Sequence, residues 1–81
     1  MQEPTIIVLT LTSGDCALYI NGDAVMTLEA DEEGKDPSVV GHYVAKALDV
    51  SYQKLWMETP EDPEWSWGDA YSLIPSRARP A

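Results

Sequence analysis

The sequence predicts an α+β domain in which a small antiparallel sheet of three to four strands carries one helix packed on one face. Short runs of β-branched and apolar residues, separated by turn residues, occupy the first part of the chain and are typical of antiparallel strands. A helix start signal and apolar residues at helical spacing follow them. The predicted order is three strands, the helix and a further strand, with residues 1–75 as a single domain and residues 76–81 as a flexible tail.

Three strands are predicted before the helix. Residues 5–12 are dense in β-branched side chains, which suit a pleated surface better than a helix. After a turn at Ser13-Gly14-Asp15, residues 16–20 and 24–29 form the next two strands. Asn21-Gly22 between them is a strong hairpin signal, because both residues tolerate the positive φ of a type I′ turn.

The register of this hairpin has two solutions. A two-residue loop pairs Ile20 with Asp23, whereas a three-residue loop pairs Ile20 with Ala24. We favour the three-residue loop, because it gathers the more apolar alternate positions of both strands on one face. That face would hold Cys16, Leu18, Ile20, Ala24, Met26 and Leu28.

A helix is predicted over Pro37–Leu48. Asp36 supplies an N-cap carboxylate and Pro37 suits the first helical position. Apolar residues recur at helical spacing and are expected to cover the sheet. They are Val40, Tyr43, Val44, Ala47 and Leu48. Gly41 lowers helix propensity by about 1 kcal/mol relative to Ala, so we interpret it as a point of close approach to the sheet.

The remainder of the chain is less regular. Residues 50–57 alternate in a way that predicts another strand. Residues 58–64 contain two prolines and four carboxylates and are predicted to form an acidic loop. Apolar surface returns after this loop with a group of aromatic and aliphatic residues. They are Trp65, Trp67, Tyr71, Leu73 and Ile74.

Charge and composition exclude several classes of function. The chain has 14 Asp and Glu against 5 Lys and Arg, a net charge of −9, and nucleic-acid binding needs clustered cations. Its single cysteine, Cys16, cannot form an intramolecular disulfide, and the N-terminus lacks the pattern of a signal peptide. The longest apolar run is too short to span a bilayer. We therefore expect a cytoplasmic protein that binds neither nucleic acid nor membrane.

Neither catalysis nor metal binding is predicted. The acidic residues 31–36 have the wrong spacing for a calcium loop, because Lys35 would fall on an acceptor position. His42 has no nucleophile or orienting carboxylate that the sequence can assign to it. Cys16 has no cation near it in sequence and is interpreted as a small core residue. No catalytic residue, metal ligand or cofactor is assigned, and we expect a protein that is not an enzyme.

Two acidic groups are the candidate partner-binding residues. The first combines carboxylates with tryptophans, which dominate interface hot spots. It comprises Glu58, Glu61, Asp62, Glu64, Trp65, Trp67 and Asp69. The second comprises Asp31, Glu32 and Glu33. If the two groups lie close together, they form one extended negative face that suits a basic partner surface. The alternatives are that the tryptophans complete the core and that the charge serves solubility alone.

The order of elements resembles that of some small anti-CRISPR proteins of phages. The resemblance is carried by Pro4-Thr5, three short strands turning at Asn21-Gly22, a helix opened by Asp36-Pro37, and Ala45-Lys46-Ala47 within that helix. It is architectural and covers the chain up to Leu48. Members of that class are compact, often acidic and non-catalytic, and they occupy the nucleic-acid channel or a subunit surface of their target. The resemblance implies such a role and assigns no functional residue.

The function that we expect is therefore a small acidic binding protein of a phage or mobile element, which inhibits or modulates a protein with a basic, nucleic-acid-binding surface. The alternative is a structural or assembly module that homodimerises through a sheet edge or an apolar face. Either a monomer or a homodimer is compatible with the sequence. The dependence of binding on salt concentration distinguishes the two hypotheses. High salt should weaken binding between charged surfaces, because it screens their attraction, and should not weaken apolar self-association.

Overall fold

The computed structural model describes residues 5–30, 33–34 and 36–81, and places a five-stranded sheet between two helices. In chain order the elements are β1 (Ile6–Leu11), β2 (Cys16–Ile20), β3 (Asp23–Leu28), α1 (Pro37–Leu48), β4 (Tyr52–Met57), α2 (Trp67–Arg77) and β5 (Arg79–Pro80). The strand order across the sheet is β3-β2-β1-β4-β5. The predicted α+β class is confirmed, whereas the predicted number of strands and helices is wrong.

The sheet is mixed, not antiparallel. β4 pairs in parallel with β1, with Ile6 opposite Tyr52 and Leu11 opposite Met57, and all other neighbours are antiparallel. Parallel neighbours need a long crossover, and the chain from β3 through α1 to β4 provides one. The prediction of an antiparallel sheet failed here because local alternation reveals a strand but not the direction of its neighbour.

Both hairpin registers occur in the β2–β3 pair. Next to the turn, Ile20 pairs with Asp23, as in a two-residue loop, and Asn21 and Gly22 have positive φ values of 53° and 86°. A β-bulge then shifts the register, so that Leu18 pairs with Met26. The favoured face is thus confirmed for the far half of the hairpin. It is wrong at Ala24, which lies opposite Tyr19.

Each face of the sheet is covered by one helix, so the prediction of a single helix on one face is wrong. The α1 face is built on Ile6, Val8, Leu18 and Ala45. The α2 face is built on Ile7, Leu9, Leu11, Ala17, Tyr19, Met57 and Ala70. Successive β1 side chains alternate between the two clusters, as strand geometry requires. β1 is therefore the strand shared by both cores.

The C-terminal residues belong to regular elements. Ser76 and Arg77 end α2, and Arg79 in β5 pairs with Trp56 in β4. The amide of Ala81 also donates to the carbonyl of Lys54 at 2.9 Å. Residues 76–81, predicted as a flexible tail, thus contain the end of a helix and the edge strand of the sheet.

α1 has the predicted boundaries but turns a different stripe towards the sheet. Asp36 caps it by accepting a hydrogen bond from the Ser38 amide at 2.9 Å. Its buried residues are Pro37, Gly41 and Ala45, with Val40 and Val44 partly buried beside them. Three residues of the predicted stripe are exposed instead. They are Tyr43, Ala47 and Leu48.

Gly41 explains this rotation. A Cβ atom at Gly41 would lie 2.9 Å from Cγ2 of Val8 and 3.1 Å from Cδ1 of Leu18, both of which are buried in the sheet. The helix therefore approaches the sheet closely along its smallest residues, and the larger Tyr43 points away. The interpretation of Gly41 as a contact point is confirmed.

We expect Gly41→Ala to lower the free energy of unfolding by up to about 2 kcal/mol, because overpacking of a core costs about 1–3 kcal/mol and the gain in helix propensity offsets about 1 kcal/mol of it. Gly68→Ala is the matched control, because a Cβ there would lie 3.6 Å from Oγ of Ser66, at ordinary contact distance. Urea unfolding followed by tryptophan fluorescence measures both. Equal or greater stability of Gly41→Ala would contradict the close approach.

Candidate functional site

The two acidic groups follow strands that end on the same side of the sheet, and we refer to this row of strand ends as an edge. β1 and β4 are parallel, and β2 is antiparallel to both β1 and β3, so β1, β3 and β4 all end at one edge. Residues 29–36, here called the first acidic segment, follow β3, and residues 58–64, the second acidic segment, follow β4. These strands are three positions apart in the sheet, which corresponds to about 14 Å.

The turn between β1 and β2 contacts both segments. On one side, the Ser13 amide donates to Oγ1 of Thr59 at 3.0 Å, and the Thr59 amide donates to Oγ1 of Thr12 at 3.1 Å. On the other side, Oδ1 of Asp15 accepts from the Ala30 amide at 2.8 Å. Residues 12–15 therefore act as a bridge that holds the start of each acidic segment at the sheet edge.

Gly14 makes the contact with the first segment possible. It has a φ of +96°, a conformation that L side chains rarely adopt, and a Cβ there would lie 2.9 Å from Cβ of Ala30. Its position is further set by a hydrogen bond from its amide to the Leu11 carbonyl at 2.9 Å. Both the turn conformation and the close packing require glycine at this position.

We call the carboxylates gathered here the acidic edge. They are Asp15, Glu29, Glu33, Asp36, Glu58, Glu61, Asp62 and Glu64. All are exposed except Asp15, which is half-buried. Asp15, Asp36 and Asp62 also stabilise the fold through bonds to the amides of Ala30, Ser38 and Glu64. Asp31 and Glu32, two of the predicted partner-binding residues, lie outside the described residues.

The carboxylates of this edge affect the pKa of Cys16, which is buried in the sheet. Burial raises the pKa of its thiol, and the nearby carboxylates of Asp36 and Asp15 raise it further. The prediction of a core cysteine is confirmed, since Cys16 is buried. A raised pKa keeps the thiol protonated and weakly nucleophilic at neutral pH.

The predicted tryptophans pack partly into the core. The rings of Trp65 and Trp67 meet edge to face with centroids 4.9 Å apart, and both pack against the α2-face cluster. The buried Tyr19 donates its hydroxyl proton to the Trp67 carbonyl at 2.7 Å. This bond anchors the start of α2 to β2. Trp65 and Trp67 are half-buried, whereas Trp56 is 38% exposed.

Asp69 has a structural role at the start of α2. Its carboxylate accepts from the Ser66 amide at 3.0 Å, while Oγ of Ser66 accepts from the Asp69 amide at 3.1 Å. This reciprocal pair is a capping box, which satisfies two amides at a helix start. The Ser66-x-x-Asp69 spacing is the sequence signal from which the start of α2 could have been predicted.

A shallow groove lies beside the second acidic segment. Its volume is about 540 Å³, and it is open to solvent. The lining includes Trp56, Glu58, Glu61, Arg77 and Arg79. The Arg79 guanidinium lies 6.0 Å from the centroid of a Trp56 ring, which is within cation–π range. The groove therefore mixes both signs of charge, and at Glu58 and Glu61 the acidic edge borders the cations Arg77 and Arg79.

Other candidate features have limited roles. His42 is exposed and meets the rings of Tyr43 and Tyr52 edge-on, with centroids 5.7 and 5.9 Å away. Within the described residues, no group of three or more His, Cys, Asp and Glu is placed to hold a metal ion. The two described helices are both too short and insufficiently apolar to cross a membrane.

Sequence reasoning missed several residues of this surface. Asp15 and Thr59 form the hydrogen bonds of the bridge with Ala30 and Ser13. These partners are distant in sequence, and no local pattern predicts such a pairing. Arg77 and Arg79 were assigned to a tail and lie instead beside Trp56. Only the turn-forming nature of residues 13–15 was visible in the sequence.

Comparison of the chain with protein-family models, with curated proteins and with solved structures gave no match. The functional proposal therefore rests on the chain's own geometry and charge.

We expect Tyr19→Phe to lower the free energy of unfolding by about 1 kcal/mol near neutral pH, because it removes the hydrogen bond to Trp67. Burial is the larger cause, and the nearby Tyr71 the smaller cause, of a raised pKa of Tyr19 in the folded state. The folded protein then holds this proton more tightly than the unfolded chain, so the stabilisation persists below about pH 10 and is lost as pH rises above it.

The difference in stability between wild type and Tyr19→Phe should therefore shrink above about pH 10. Urea unfolding from pH 7 to pH 11 measures it. Tyr43→Phe, at a residue 65% exposed, is the control and should follow the wild-type profile. A difference that stays constant with pH would contradict the role assigned to Tyr19.

Proposed function

We propose that this protein is a non-catalytic binding protein that uses its acidic edge to cover a basic surface of a partner protein. The observation that carries the proposal is the bridge at residues 12–15, whose hydrogen bonds hold Ala30 and Thr59, near the start of each acidic segment, at one edge of the sheet.

The proposed mechanism is steric occlusion guided by charge. A row of carboxylates across about 14 Å of sheet edge offers a negative surface of the kind that a nucleic-acid-binding groove attracts. Complementary charge increases the association rate and suppresses acidic partners. A protein that acts in this way would inhibit or modulate its target by competing with nucleic acid. This role agrees with the anti-CRISPR-like inhibitor that the sequence resembles.

A second candidate function is homodimerisation through the outer side of α1. Val39 and Tyr43, one helical turn apart, are 51% and 65% exposed, and Leu48 is also exposed. Apolar residues on an outward helix face can mediate self-association. Light scattering at low and high salt tests this alternative, which requires a dimer that persists when charge is screened.

The proposed function is tested by affinity capture from the native host lysate, with washes at about 0.1 M and then about 1 M salt. The screening length falls over this range from about 10 Å to about 3 Å. We expect a basic, nucleic-acid-binding protein to be retained at low salt and released at high salt, because the contact is electrostatic.

Matched variants assign the contact to the acidic edge. Glu29→Gln/Glu33→Gln and Glu61→Gln/Glu64→Gln each remove two negative charges from one segment. These four side chains make none of the capping bonds described above. Each pair raises the net charge of −9 by two units. Ser51→Lys/Gln53→Lys makes the same change in net charge at exposed residues beyond the acidic edge.

Both acidic pairs should reduce recovery of the partner several-fold, and the lysine pair should not. Equal effects of all three variants would show that net charge alone matters. Retention that resists high salt, or recovery of the bait alone, would also contradict the proposal.

A further inference from the structure

The two outer strands of the sheet, β3 and β5, differ in how their unpaired sides are protected. Unpaired backbone groups at a sheet edge can pair with another chain, and proteins block such edges with short strands, proline, lysine, arginine or bulges. β5 at one edge has two residues, Arg79 and Pro80, and so is short and contains both a cation and a proline. β3 at the other edge has six residues, Asp23–Leu28, without lysine or proline. Among the residues that the structure describes, β3 has no strand paired on its outer side, and we call it the open edge.

β3 also presents side chains that an added strand could contact. All of its residues are exposed or half-buried, and Val25 is 56% exposed. The bulge, which displaces Val25 from regular pairing with β2, interrupts this edge at one position, and the charge of Asp23 is a second protective feature. An incoming strand would find backbone donors and acceptors at alternate residues and an apolar contact at Val25.

The charge around β3 identifies the kind of strand that fits. Asp23 begins the strand and Glu29 follows it, and residues 23–36 contain six Asp and Glu but a single lysine. Opposite charges across neighbouring strands stabilise pairing, and like charges destabilise it. The flanking carboxylates therefore favour an incoming segment with lysine or arginine near its ends.

The same charges disfavour a second copy of this chain. Antiparallel pairing of β3 with itself would bring Asp23 of one copy close to Glu29 of the other, and each copy has a net charge of −9. Parallel pairing would align Asp23 with Asp23. The open edge is thus protected against self-association by charge, while it stays available to a basic strand.

We propose that the partner docks by β-augmentation, with an extended, lysine- or arginine-bearing segment of the partner adding to β3 as a further strand of the sheet. This inference rests on the proposed function, since it specifies how a basic partner meets the acidic side of the molecule. Backbone hydrogen bonds to β3 supply affinity, and the flanking carboxylates select basic segments.

The test uses an acetylated and amidated eight-residue peptide of alternating lysine and valine. Binding to the full chain is followed by amide chemical shifts and by hydrogen exchange. We expect shift changes and slower exchange at alternate amides of Asp23–Leu28. A peptide with glutamate in place of lysine, and one N-methylated at alternate backbone nitrogens, should both bind at least about tenfold more weakly.

Variants of the protein locate the contact. Val25→Lys places a like charge against the incoming strand and should weaken binding of the lysine peptide about tenfold. Val39→Lys makes the same substitution on α1 at a similar exposure, 51% against 56%, and should leave binding within about twofold. Circular dichroism checks that both variants remain folded, and the shifts of the wild type give a readout that needs no variant.

Four outcomes would overturn β-augmentation. Shift changes confined to residues 58–64 would leave the proposed function standing and reject docking on β3. Equal weakening by Val25→Lys and Val39→Lys, or no binding of the peptide, would reject it as well. A concentration-dependent dimer with protected β3 amides in the absence of peptide would assign the edge to a second copy.

Discussion

The rest of the structure depends on β1, which is paired on both sides and buried on both faces. Ile6 and Val8 enter the core under α1, while Ile7, Leu9 and Leu11 enter the core under α2. Parallel pairing of β1 with β4 then fixes where the chain leaves the sheet. Because β3 runs in the same direction, the segments that follow β3 and β4 emerge at one edge. The acidic edge is thus a consequence of strand direction, which for β4 depends on the crossover through α1.

Concentrating carboxylates on one edge costs repulsion, and the fold offsets that cost locally. The first acidic segment ends at Asp36, the N-cap of α1, where the positive end of the helix dipole favours negative charge. The second leads into the capping box of Ser66 and Asp69 at the start of α2. The hydrogen bond that the Asp15 carboxylate accepts from the Ala30 amide compensates part of its negative charge. The strands that lead into the two segments are about 14 Å apart, more than the screening length of about 10 Å at 0.1 M salt.

Local signals in the sequence predicted the elements that they govern. Asp36-Pro37 predicted the start of α1, and Asn21-Gly22 predicted the reversal between β2 and β3. Long-range features were missed, because the parallel β1–β4 pair and the bond from Ser13 to Thr59 join residues far apart in sequence. α2 was missed as well: its capping-box spacing, Ser66-x-x-Asp69, was not used, and Pro75 lies within the last turn of the helix. The acidic groups were identified from the sequence, but their meeting at one edge depends on the missed parallel pair.

The bridge at residues 12–15 must hold the start of both acidic segments if these act as one surface, and hydrogen exchange at the amides of Ala30 and Thr59 measures whether it does. We expect slow exchange at both amides in the wild type. We also expect Asp15→Ala to accelerate exchange at Ala30 and to leave Thr59, which donates to Thr12, protected. Exchange at both wild-type amides as fast as in an unstructured chain would contradict the bridge, as would an Ala30 amide that does not respond to Asp15→Ala.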